Sequence, residues 1–294
     1  MFHNWWQAAA AAGLVVLAAV GITAAHTSAL PRTLSYSLIR QACEWHAGWQ
    51  TRSWPEIKSD HFRLRYRPED AEVAPLVLQT AETAYEPAAA MLQHQPAGET
   101  LIVLYPDRES LARQFGWAAS ESAMGVYWGG VVRVLSPYDW VTSRDPQEIA
   151  AIFNSAGPVA HEFAHLLVDE KARGNYPRWL TEGIAQYVER QLTGFVMPGS
   201  PEAAGWYALQ EMDYEFDNLA DQTLAYRQSA LMVDYLVERY GLESLNLVLD
   251  RLGRGATLDQ AFREIIDTSS ANLAVAFARE VPLSRARVEF ASNL

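Results

Sequence analysis

Val159-Ala160-His161-Glu162-Phe163-Ala164-His165-Leu166-Leu167-Val168 is the stretch on which the reading of the whole chain turns. Apolar residues occupy nearly every side of this segment, so it belongs in a core. Three ionisable side chains in its middle would cost on the order of several kcal/mol unless each is paired or bound. Residues four apart lie one turn apart on one helical face. Both imidazoles can therefore meet a single metal ion at about 2.0–2.1 Å while Glu162 points beside them toward a water. The HExxH pattern by itself also fits two core histidines with a hydrogen-bonded glutamate, and its surroundings have to decide between the two readings.

The next helical stretch, Asn175 to Glu189, supplies that context. Pro177 suits a first-turn position, and Glu182 projects from the opening turns of a helix that returns after the Gly174 turn. His161-Glu162-Phe163-Ala164-His165, followed after sixteen intervening residues by Glu182 within Trp179 to Tyr187, resembles the peptidase MA-like gluzincins. The resemblance extends over about residues 50 to 265. It takes in strands at Phe62 to Tyr66, where basic and apolar residues alternate, Leu101 to Tyr105 and Val131 to Leu135, and Tyr226-Arg227-Gln228-Ser229 leading into Val233 to Gly241. It implies an α+β fold in which a small mixed sheet subdomain precedes a mainly helical one, around a thermolysin-like catalytic core. It further implies that Glu182 joins His161 and His165 as the third ligand of one zinc ion, in a zinc metallopeptidase. One departure stands out. Where thermolysin-like relatives often carry an aspartate four residues after the third ligand, to orient a metal-binding histidine, this chain has Gln186, whose amide oxygen would accept that bond more weakly.

Two neutral imidazoles and one carboxylate leave a fourth coordination place open, as catalytic rather than structural zinc requires. Glu162 is then the general base toward water and a peptide carbonyl. Tyr226 is the candidate donor to the oxyanion, because it opens a helix expected over Leu224 to Tyr240 beside the site; the alternative is a core tyrosine. Substrate backbone is expected along a sheet edge at Val131 to Leu135, where Gly129 and Gly130 allow close approach or simply make a turn. Asp169 and Glu170 read as solvated residues at a helix end, and His3, His26, His46, His61 and His94 as surface or connector residues. A reading from a different class is a metal-bearing but catalytically silent binding or assembly module of the cell envelope. The intact Glu162 speaks for catalysis, since a structural site does not need the base.

Composition bounds these readings. The chain has 294 residues, half of them apolar, enough for a sizeable core. Its net charge of -12 repels phosphate backbones, so the partner expected is a peptide or protein and not a nucleic acid. The single Cys43 excludes an intrachain disulfide and a multi-cysteine metal site. Ala8 to Ala25 is uncharged and about as long as a bilayer crossing needs, so it reads as a transmembrane anchor or a cleaved signal. Either reading places Arg32 onward outside the cytoplasm, although Arg32 and Arg40 just after the span oppose this weakly. The expected organisation is an anchor or signal (1–30), a juxtamembrane connector (31–59) whose Trp45, Trp49 and Trp54 lie at the membrane interface or pack beneath the anchor, an α/β subdomain (60–140) and a helical zinc-binding subdomain (141–294). Helices are expected at Ala71 to Leu92 and Ser110 to Phe115, and nearly throughout beyond Tyr138.

Overall fold

The computed structural model describes residues 30–118 and 123–287. Its sheet has five strands in the spatial order β1 (Glu56–Lys58), β2 (Phe62–Arg65), β3 (Thr100–Tyr105), β5 (Val131–Leu135) and β4 (Gly125–Trp128). The three central strands are parallel, with Leu64 opposite Ile102 and Ile102 opposite Val132, and each outer strand adds antiparallel. Strand alternation sorts the side chains into two cores. Phe62, Leu64, Ile102, Leu104, Val132 and Val134 face the helical half of the molecule, together with helix α2 (Ala74–Leu92). Leu101, Val103, Tyr105, Val131 and Leu135 face the other way, where Ala47 of helix α1 (Leu30–Gln50) and Leu111 of helix α3 (Arg108–Arg113) close over them. Cover on both faces explains why β3 is buried at every position and lacks a polar alternation.

Two expectations change here. Val131–Leu135 is not an edge: β3 and β4 flank it, and the free edge on that side is β4. The sequence did not suggest β4 as a strand because Gly125, Gly129 and Gly130 bracket its few residues with turn signals. Leu30–Gln50, which falls largely within the expected connector, is one continuous helix. Trp54 is half-buried and packs edge-on against Tyr105 at 5.6 Å, beneath the Arg67 guanidinium. The apolar run Ala8 to Ala25 lies outside the described residues. Among the described residues, no helix is long and apolar enough to cross a membrane.

The second half is helical: α4 (Pro137–Trp140), α5 (Pro146–Ala156), α6 (Val159–Ala172), α7 (Arg178–Thr193), α8 (Leu209–Tyr214), α9 (Gln222–Gly253), α10 (Leu258–Ile266), α11 (Ser270–Glu280) and α12 (Ser284–Arg287). The fold is thus α+β, with a small sheet and a larger helical part. Caps set the starts of these helices. The Asp145 carboxylate accepts the Gln147 amide at the head of α5, and Asp221 accepts the Leu224 amide at the head of α9. Helix α6 is pinned to the sheet by Phe163, whose ring lies 5.3 Å from Phe62 and 5.4 Å from Tyr85. Burying that ring fully contributes roughly 1.5–3 kcal/mol. Left-handed Arg173 and Gly174 reverse the chain into α7, which packs between α6 and α9. Gly183 permits that contact, for a Cβ there would stand 2.3 Å from the carbonyl oxygen of Ser229 on α9.

Candidate metal centre

Helices α6 and α7 run back to back, so residues early on one meet residues late on the other. Nε2 of His165 lies 3.1 Å from Nε2 of His161, and Oε2 of Glu182 lies 3.4 and 3.5 Å from them. These three are the side chains that the sequence singled out, and their ligand atoms form one cluster within 4.8 Å. Donors held at about 2.0–2.1 Å around one tetrahedral ion such as zinc are about 3.3–3.4 Å apart, which the spacing found here matches.

The hydrogen bonds behind the imidazoles point the same way. His161 Nδ1 faces the Glu189 carboxylate at 3.1 Å, and a carboxylate only accepts, so the ring proton sits on Nδ1 and the lone pair on Nε2. His165 Nδ1 faces Thr181 Oγ1 at 2.7 Å, and a hydroxyl accepts equally well. Two lone pairs and a carboxylate oxygen then converge on one point. Among the described residues, Oε2 of Glu182 is buried without a hydrogen-bond partner, whereas its Oε1 pairs with Arg178 Nε at 3.0 Å. Glu162, Glu182 and Glu189 are all buried, and among the described residues Arg178 is the one guanidinium paired with them. Such an excess of buried negative charge calls for a cation. The electrostatics agree in direction. Burial works against a charge on His161, yet the adjoining carboxylates of Glu182 and Glu189 push its pKa well above the ordinary value. Burial would raise Glu182, but His165, the contacts with both imidazoles and Arg178 hold it well below the usual carboxylate range. A divalent ion satisfies the same demand and frees the imidazoles to stay neutral.

Glu162 sits beside this cluster without joining it. Its Oε2 accepts the backbone N–H of Tyr127, on β4, at 2.6 Å. Burial pushes its carboxyl above the usual range, and the two imidazoles and that amide offset part of the rise. The strand comes this close because position 125 is glycine; a Cβ there would stand 2.7 Å from Cγ of Glu162. Tyr226 is brought against the site by α9. Its phenol is pushed up to about 12 by burial and by Glu182, with the hydrogen-bonded Arg178 opposing, so it is a neutral donor near pH 7. Its ring packs edge-on against Phe216 at 5.3 Å.

Several side chains stand elsewhere than expected. Gln186 orients no ligand: its amide nitrogen donates to the Tyr226 and Glu182 carbonyl oxygens. Glu189 and Thr181 take the orienting role instead. The available signal for Glu189 was its place seven residues after Glu182, two turns along the same face. Asp169 and Glu170 are not solvated. Asp169 is buried and accepts three phenols, from Tyr36 at 2.6 Å, Tyr127 at 2.5 Å and Tyr176 at 2.8 Å. Burial and the Asp169 charge raise all three phenols, which keeps them protonated as donors. Glu170 pairs with Arg40 and, at 2.8 Å, with His94. His61 is half-buried as well, bonded to Glu82 at 2.8 Å and stacked on Tyr85. His3 and His26 lie outside the described residues.

A mixed sheet with a two-helix His-His-Glu cluster behind it defines a candidate metalloprotein of the HExxH type. Residues 147–277 match the family model of the peptidase MA superfamily, and that stretch contains every side chain of the cluster. No curated protein matches the chain.

Proposed function

We propose that this protein is a zinc-dependent peptidase working outside the cytoplasm, with His161, His165 and Glu182 holding one ion, Glu162 as general base and Tyr226 as donor to the developing oxyanion. The observation that carries the proposal is the buried, partnerless Oε2 of Glu182 facing two imidazole lone pairs. When bound there, zinc supplies a Lewis acid and lowers the pKa of a coordinated water toward about 7. The chain's own residues do the rest. The Tyr127 amide ties down Oε2 of Glu162, which leaves Oε1 to take a proton from the attacking water and return it to the departing amine. The Tyr226 hydroxyl, held neutral, offers a hydrogen bond to negative charge on the substrate oxygen. The outer edge of β4, next to Glu162, presents backbone groups to an extended peptide. The location outside the cytoplasm rests on the apolar run Ala8 to Ala25 alone.

The test couples metal analysis to cleavage of an unstructured protein. Zinc is expected at about one ion per chain, the count three protein ligands with one open place imply. Glu162→Gln should keep the zinc and lower kcat by about 10²–10⁴. Tyr226→Phe should lower kcat by about 10² with little change in KM. Undiminished cleavage in Glu162→Gln would end the peptidase proposal, and unchanged kcat in Tyr226→Phe would remove that residue from it.

A further inference from the structure

Helix α1 has two faces of different chemistry. Its inner face is bolted to the catalytic half: the Tyr36 hydroxyl donates to Asp169, Arg40 pairs with Glu170, and Ala47 is buried in the second core. Cys43 lies so close to the turn between β4 and β5 that a Cβ on Gly129 would stand 2.6 Å from its own Cβ. The outer face carries Leu34 (70% exposed), Leu38 (70%), Ile39 (61%), Trp45 (71%) and Trp49 (52%). At about 100° per residue, Leu34, Leu38, Trp45 and Trp49 fall within about 60° of one another, a single stripe along the helix. Arg32, Ser37, Gln41, Ala42, His46 and Gln50 are the other exposed residues of the helix and add no acid. In a chain with 35 acidic residues, Leu30–Gln50 contains one, Glu44, and it pairs with Arg40 on the inner side. An apolar stripe cleared of acid is unlike the surface of a solvated helix.

Two facts choose the occupant. The stripe begins at Leu34, nine residues after the run Ala8 to Ala25, whose length and composition suit a bilayer. Its far end carries paired tryptophans, the residues that favour the lipid headgroup level. We propose that the outer face of α1 lies on the lipid surface, continuing along the membrane from the apolar segment that enters it. This rests on the membrane reading of that segment. Because the inner face holds Asp169 and Glu170 of α6, the helix keeps the metal centre at a set height above the bilayer. The substrates favoured are then polypeptide stretches close to the membrane.

The test uses the full chain with Cys43→Ser, reconstituted into phosphatidylcholine vesicles, and a single environment-sensitive fluorophore on Leu38→Cys or, as control, on Val275→Cys, which is 68% exposed. Flotation with the vesicles reports the membrane reading of the N-terminal segment. Among floated molecules, the label at position 38 should shift to the blue and be quenched several-fold more by spin-labelled lipid than the label at 275. Equal quenching of both by aqueous iodide would overturn the inference and leave the anchor standing. A blue shift at 38 without lipid quenching would also overturn it, by showing that a second copy or another protein covers the stripe. A chain that fails to float would sink the membrane reading and this inference with it.

Discussion

Helix α6 bears two buried acid-rich clusters one turn apart, and they differ in how fully the protein pairs their charges. Toward its C-terminal end, Asp169 accepts three phenolic hydrogen bonds and Glu170 has a guanidinium and an imidazole. Every charge there is answered by the protein. At its N-terminal end, the histidines face a carboxylate oxygen that has no hydrogen-bond partner among the described residues. Burial is alike at the two ends, since Asp169 is 7% exposed and His165 9%. Burial of a polar group therefore says little about function, whereas an incomplete set of partners says a great deal.

The contrast can be broken by substitution. The largest effect is expected from Glu182→Gln, which removes the charged ligand while keeping its volume: zinc should dialyse away, read as metal per chain by atomic emission, and peptide cleavage should vanish with it. Full zinc retention would place the third ligand elsewhere. Glu189→Gln should be milder, because it touches only the far side of His161; zinc affinity should weaken by about 10–100-fold, measured by competition with a chromogenic chelator. An unchanged affinity would make Glu189 a bystander. At the complete cluster, Asp169→Asn should leave the zinc content unaltered but lower unfolding free energy by about 2–3 kcal/mol in urea titration, the range for buried hydrogen bonds to a charged acceptor. If zinc were lost together with stability in Asp169→Asn, the two clusters would be one unit and the distinction would fail.

Reading the chain without its fold reached the first cluster and missed the meaning of the second. His161, His165 and Glu162 lie on one stretch of helix, where a spacing of four residues already brings two side chains to one face. The strands at Thr100–Tyr105 and Val131–Leu135 were equally legible, since short, mainly apolar runs of that length, here interrupted only by Arg133, mark covered strands. Strand β4 was not, for its glycines look like a turn until they are seen to let the backbone approach Glu162. Asp169 misled for a similar reason. In sequence it sits with Glu170 near the end of a helix, a common place for solvated acids, and its partner Tyr36 is 133 residues away.

The sequence alone thus determined which residues share a helical face, which segments must be covered, and that two histidines with a glutamate between them stand in an apolar helix. All of these follow from local periods of the backbone and the cost of burying charge. Only the tertiary structure decided the rest: that β4 and not β5 is the edge beside the site, that Glu189 and Thr181 instead of Gln186 fix the imidazoles, and that one oxygen of Glu182 stands without a partner. These depend on which distant segments the packing brings within about 3 Å of each other, the reach of a hydrogen bond, and no local period encodes that.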